Sequence, residues 1–138
     1  MLTYSRHILI VDDNLDNLLF LQLLLESEGH IVEVATCGYS AIERMRVSPP
    51  SLVLLDVMMP GITGFEVTQQ VRQNELLRNL IIVLVSAHED VNSDRVREVG
   101  ANDFIRKPVD CDELINKVNY WLSKSVKRQR MHDRQLSA

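Results

Sequence analysis

The sequence predicts an α/β fold: a five-stranded parallel sheet, doubly wound, with helices on both faces. Three observations carry this expectation. Five short apolar runs recur along the 138 residues. Several of them lack the polar alternation of a half-exposed strand, which is the pattern of strands covered on both sides. Amphipathic stretches of helical period lie between them, so strand and helix alternate five times.

The elements follow in order. "HILIV" (7–11) is the first strand. Asp13 or Asn14 can cap a helix near 14–28, and Gly29 can end it. "IVEVA" (31–35) is the second strand, followed by a helix near 38–47. "LVLLD" (52–56) is the third; after it Pro60, Gly61 and Gly64 turn the chain into a helix near 63–74. "LIIVLVS" (80–86) is the fourth, with a helix near 90–99, and "DFIRK" (103–107) is the fifth. Asp110 can cap a last helix near 110–124. The length suits one domain with a single core, residues 1–122. Residues 123–138 form a basic tail without Gly or Pro, expected to extend the last helix.

Composition narrows the class. No apolar run reaches the roughly 18 residues that a membrane span needs, and the N-terminus lacks the regions of a signal peptide. Cys37 and Cys111 have no metal-ligand spacing and read as thiols in a reducing compartment, so a cytoplasmic protein without a membrane partner is expected. The net charge of −4 conceals an asymmetry: residues 123–138 hold five bases and one acid, residues 1–122 ten bases and 18 acids. An acidic body argues against a nucleic-acid partner. The tail reads as a solvated helix end or linker.

In open parallel sheets, ligands sit beyond the carboxyl ends of the strands. Here strand one ends in Asp12-Asp13, strand three in Asp56, strand four in Ser86-Ala87 and strand five in Lys107-Pro108. In the order 2-1-3-4-5 these groups converge on one edge. Three neighbouring carboxylates repel one another, and a hard divalent cation such as Mg²⁺ or Mn²⁺ relieves that repulsion. A cation, a lysine and a hydroxyl suit phosphoryl oxygens. No Walker-type loop or GxGxxG is present to hold a nucleotide. A carboxylate that is itself the phosphoryl acceptor is the simplest chemistry left, and Asp56 is the natural candidate.

The motifs "ILIVDDN", "LVLLDVMMPGITG", "VLVSAHED" and "GANDFIRKPVD" together resemble the receiver domain of two-component response regulators, over residues 6 to about 123. The resemblance implies a flavodoxin-like, single-domain, chemotaxis-regulator-like chain phosphorylated on Asp56. It implies Mg²⁺ bound by Asp13 and Asp56 directly, by Asp12 through a water and by the Met58 carbonyl. Lys107 would pair with a phosphoryl oxygen, and Ser86 and the Ala87 N–H would donate to the attached group. Phe104 matches an aromatic switch position, and the Lys107–Pro108 peptide is expected to be cis. The partners implied are a sensor histidine kinase or histidine phosphotransfer protein and a downstream protein target. The chain would be a switch that catalyses only its own phosphorylation and dephosphorylation, not an enzyme acting on other substrates.

Three alternatives stand beside that reading. The chain can be a receiver cut from a longer regulator; with about 15 residues after the last helix, a stand-alone receiver is favoured. It can be a phosphate-independent interaction module, although no acid or lysine of the set is missing. It can be a hydrolase working through an acyl phosphate, although the second acid such an enzyme needs is replaced by Met58. With His88 after Ser86, Met58 also suggests a shielded, long-lived phosphoryl group. Finally, the first helix carries two apolar stripes. Phe20, Leu21, Leu24 and Leu25 are expected to face the core. Leu15, Leu18, Leu19 and Leu23 are expected to form an exposed docking surface or a homodimer seam.

Overall fold

The structure, a computed structural model, describes residues 7–137 except His88 and Asp90, and beyond Ser125 the backbone alone. Its elements are β1 (His7–Val11), α1 (Leu15–Ser27), β2 (Ile31–Ala35), α2 (Gly38–Val47), β3 (Leu52–Asp56), α3 (Gly64–Gln73), β4 (Ile81–Ser86), α4 (Ser93–Val99), β5 (Asp103–Arg106) and α5 (Cys111–Ser137). All neighbouring strands are parallel and the order is β2-β1-β3-β4-β5, as predicted.

The strands read as continuous apolar runs because successive side chains enter two different cores. Leu9, Val11, Val53, Leu55, Ile82 and Leu84 pack on the side of α2, α3 and α4. Ile8, Ile10, Leu54, Val83, Val85 and Ile105 pack on the side of α1 and α5. The β2 edge is only partly covered, and Ile31 there is 69% exposed. Glu33 on that edge holds His7 Nε2 at 2.8 Å and Arg44 Nη1 at 2.6 Å.

Short polar groups set the helix ends. The Asn14 side chain, rather than Asp13, caps α1 by accepting the Asn17 N–H at 3.0 Å. Gly29 takes a left-handed φ of 88° just past the Glu28 cap. Thr63 and Glu66 form a capping box on α3. Asp110 accepts the Glu113 N–H at 2.9 Å. The last helix continues to Ser137.

The two stripes of α1 divide differently from the expectation. Leu18 is buried with Leu21 and Leu25, whereas Phe20 stands 48% exposed beside the exposed Leu15, Leu19 and Leu23. Helical spacing gives the reason. Leu18, Leu21 and Leu25 are related by i, i+3 and i+7 and form one sheet-facing row, which rotates Phe20 away from the sheet. Leu24 is half-buried at the boundary.

One side chain at the opposite end of the sheet from the carboxylates fastens the connection before β4 to the connection before β5. The Arg72 guanidinium donates to the carbonyls of Gly100 (2.6 Å), Leu80 (2.6 Å) and Arg78 (2.9 Å) and to Asn102 Oδ1 (2.9 Å). Asn102 Oδ1 also accepts the Ile82 N–H at 2.8 Å. Arg72→Met keeps the apolar stem and strands these acceptors. Urea denaturation should show a loss of about 2–4 kcal/mol, and an unchanged midpoint would refute the assignment.

Candidate functional site

Parallel pairing brings the carboxyl ends of β1, β3, β4 and β5 to one edge, and the predicted residues stand there. Asp12 follows β1. Its N–H donates to the Ala35 carbonyl at 3.2 Å, and its Oδ1 accepts the Asn14 N–H at 2.9 Å, which orients the carboxylate. Asp56 closes β3 and Ser86 closes β4; both are buried. Lys107 leaves β5 with its N–H donating to the Ser86 carbonyl at 3.0 Å. Its ammonium then reaches across the edge to Asp12 Oδ2 at 3.3 Å and Asp56 Oδ1 at 3.2 Å. The exposed Asp13 completes the group: Asp12, Asp13 and Asp56 each bring an oxygen within 4.8 Å of the others.

The loop after Asp56 is held by close backbone packing. The Gly64 N–H donates to the Val57 carbonyl at 2.8 Å. A Cβ on Gly64 would collide with the Asp56 carbonyl and come within 2.8 Å of Val57 Cα. Glycine there lets α3 start directly against the end of β3, which fixes where Asp56 stands.

The electrostatics follow from this crowding. Burial, then the charge of Asp12, pushes the Asp56 carboxyl up to about 6, with Lys107 pulling the other way. Burial alone would lower Lys107, but Asp56 and Asp12 outweigh it and hold the ammonium above its ordinary value. Three carboxylate oxygens of which one is costly to ionise form a hard-oxygen set. It fits a divalent cation of the Mg²⁺ kind, because such an ion offsets charge that one lysine only partly neutralises.

The other predicted residues fall less centrally. Ala87 is exposed beside Ser86, and the Met58 side chain is 55% exposed. Phe104 is half-buried on β5 and packs against the core on the α4 side. The Lys107–Pro108 peptide is cis. His88 lies outside the described residues. Asn14 as the group orienting Asp12 was not foreseen; as a cap candidate it was visible in sequence, but its second partner was not. The spacer role of Gly64 was visible only as a turn signal.

Comparison with known proteins agrees with this geometry. Residues 8–119 match the family model of the response regulator receiver domain. The chain belongs to that family. Protein PilH of Pseudomonas aeruginosa is 34% identical over 81% of this chain and 93% of its own length. The sensor histidine kinase GacS of Pseudomonas protegens is 36% identical over 91% of this chain. The CAI-1 autoinducer sensor kinase/phosphatase CqsS of Vibrio cholerae is 37% identical over 86%. The receiver spans only 14% of GacS and 18% of CqsS. Among solved structures, the CheY-like receiver domain protein of Methanospirillum hungatei superposes with a TM-score of 0.81 at 27% identity, covering 89% of this chain and 98% of that one. The signal receiver domain of a histidine kinase from Syntrophus aciditrophicus gives 0.80 at 30% identity, covering 87% and 92%. Among the described residues no helix is long and apolar enough to cross a membrane.

The Asp56 shift has a consequence for stability. A carboxyl that titrates higher in the folded than in the unfolded chain makes the native state bind the extra proton. Stability therefore falls as pH rises through the window from about 4 to about 6. In chelator, Asp56→Asn should be more stable than the parent at pH 7.5 by on the order of 1–3 kcal/mol, and the difference should vanish near pH 4. Urea melts at the two pH values measure it; a variant less stable at pH 7.5 would refute the electrostatic account.

Proposed function

We propose that this receiver is a phosphorelay switch in which Asp56 accepts a phosphoryl group from a phosphohistidine of a sensor histidine kinase or histidine phosphotransfer protein. The observation that carries the reading is the bridge of Lys107 to both Asp12 and Asp56 at the end of the central strand. An Asp56 oxygen attacks phosphorus, the P–N bond breaks as the P–O bond forms, and the histidine nitrogen takes back the pair. Lys107 follows the charge onto the phosphoryl oxygens. The Ser86 hydroxyl and the Ala87 N–H donate to the attached group. Mg²⁺, held by Asp12, Asp13, Asp56 and the Met58 carbonyl, would supply the positive charge that lets a crowded carboxylate approach a phosphoryl anion. The chemistry is self-modification, and the output is a change in what the domain binds.

The donor protein has a surface suited to it. Phe20, one of the exposed apolar residues of α1, lines a shallow cavity of about 320 Å³ together with Asn17, Leu21, Lys107, Pro108 and Val109. An apolar helix seated there stands beside the phosphoryl-accepting edge, and exposed apolar surface of this kind marks interfaces.

Incubation with acetyl phosphate and Mg²⁺ should add one phosphoryl mass to the intact chain. Asp56→Asn should abolish the adduct, and chelation should suppress it; an adduct that survives Asp56→Asn would overturn the assignment. Leu19→Glu combined with Phe20→Glu should leave labelling by acetyl phosphate intact. It should slow transfer from a phosphorylated histidine donor by about tenfold or more, as expected for a lost interface anchor. Equal slowing of both reactions would move the docking surface elsewhere.

A further inference from the structure

α2 and α3 lie side by side on the face of the sheet opposite α1 and α5. Between their C-terminal halves is a cavity of about 280 Å³. Its floor is apolar. Ile42 of α2, Val71 of α3 and Leu77 of the connection before β4 line it, and all three are buried. The rest of the lining is Arg46, Gln70, Gln73 and Asn74. Every polar side chain in that lining carries an N–H donor, and none is an acid, although the chain holds 19 acids.

The donors are open to a ligand. Arg46 pairs with Glu43, one turn back on α2, at a long 3.9 Å, and an exposed pair of that kind holds a guanidinium weakly. Asn74 Oδ1 is already taken by the Leu76 N–H at 2.9 Å, so what Asn74 offers is its amide N–H. An apolar body seated over Ile42, Val71 and Leu77 leaves water. A carboxylate at its end meets the guanidinium fork, whose geometry matches two carboxylate oxygens. Size limits the body: at about 280 Å³ the cavity is at the small end of ligand sites, with room for a single ring or a short branched chain and not for a nucleotide.

We propose that this cavity is a binding site for a small carboxylic acid with a compact apolar body, held by Arg46 over Ile42, Val71 and Leu77. α2 and α3 run back from the carboxyl ends of the strands, so their C-terminal halves lie towards the opposite end of the sheet from Asp56. The site therefore stands or falls apart from the phosphoryl-acceptor reading. Both helices also end near the cavity, and helix C-termini favour cations. Arg46 is what makes the ligand an anion, and a cation of the same shape is the competing occupant.

The isotope-labelled full chain is titrated with phenylacetate while its backbone amide signals are followed by heteronuclear NMR. The signals of Gln70, Gln73 and Asn74 should shift saturably, with a Kd of about 1–10 mM for a ligand of this size. Phenylacetamide keeps the ring without the charge, and phenethylamine reverses the charge. Both should bind about tenfold more weakly or less, the size of a lost charge-assisted contact. Arg46→Met, which keeps the stem and removes the fork, should weaken phenylacetate by about tenfold and leave phenylacetamide unchanged. Arg46→Lys should recover part of the loss. Arg46 is exposed, and far-UV circular dichroism checks that the variants fold. The site would be overturned by the absence of a saturable shift, by shifts centred on other residues, or by equal binding of the amide or the amine. An Arg46→Met chain that binds phenylacetate as the parent does would overturn it as well.

Discussion

The bridge from Lys107 to Asp12 and Asp56 is the interaction on which the site depends. Two carboxylates closing off neighbouring strands lose most of their water, and burial together with the charge of Asp12 raises the cost of ionising Asp56. The ammonium between them offsets that cost without removing it, which is why Asp56 remains hard to ionise. The site is left with an appetite for positive charge, which a divalent cation would meet.

The sheet makes this crowding affordable. Each strand buries one row of side chains on the α2–α4 side and another on the α1–α5 side, so the β-carbons next to Asp56 are fixed from both directions. A post held that firmly keeps a buried carboxylate in place instead of letting it swing into solvent. Gly64 adds a local version of the same constraint, since the start of α3 packs directly against the backbone that carries Asp56.

Much of this was legible in the residues. The runs from "HILIV" to "DFIRK" mark all five strands, and the polar residues at their ends are the ones the fold gathers. The reading failed where spacing left a rotation open. Leucines fill α1 so densely that two different faces score alike, and the sheet chose Leu18 over Phe20. Arg72 gave no signal, because its acceptors come within reach only when the connections before β4 and β5 are folded together.

The sequence by itself determined the alternation of elements, the acids and lysine at the strand ends, and the family. These depend on periodicity and on residue type, which are local. The tertiary structure alone decided that Lys107 bridges Asp12 and Asp56, which face of α1 is exposed, and that Arg72 joins the connections before β4 and β5. Each of those depends on the distance between atoms brought together only when the strands pair and the helices close over them.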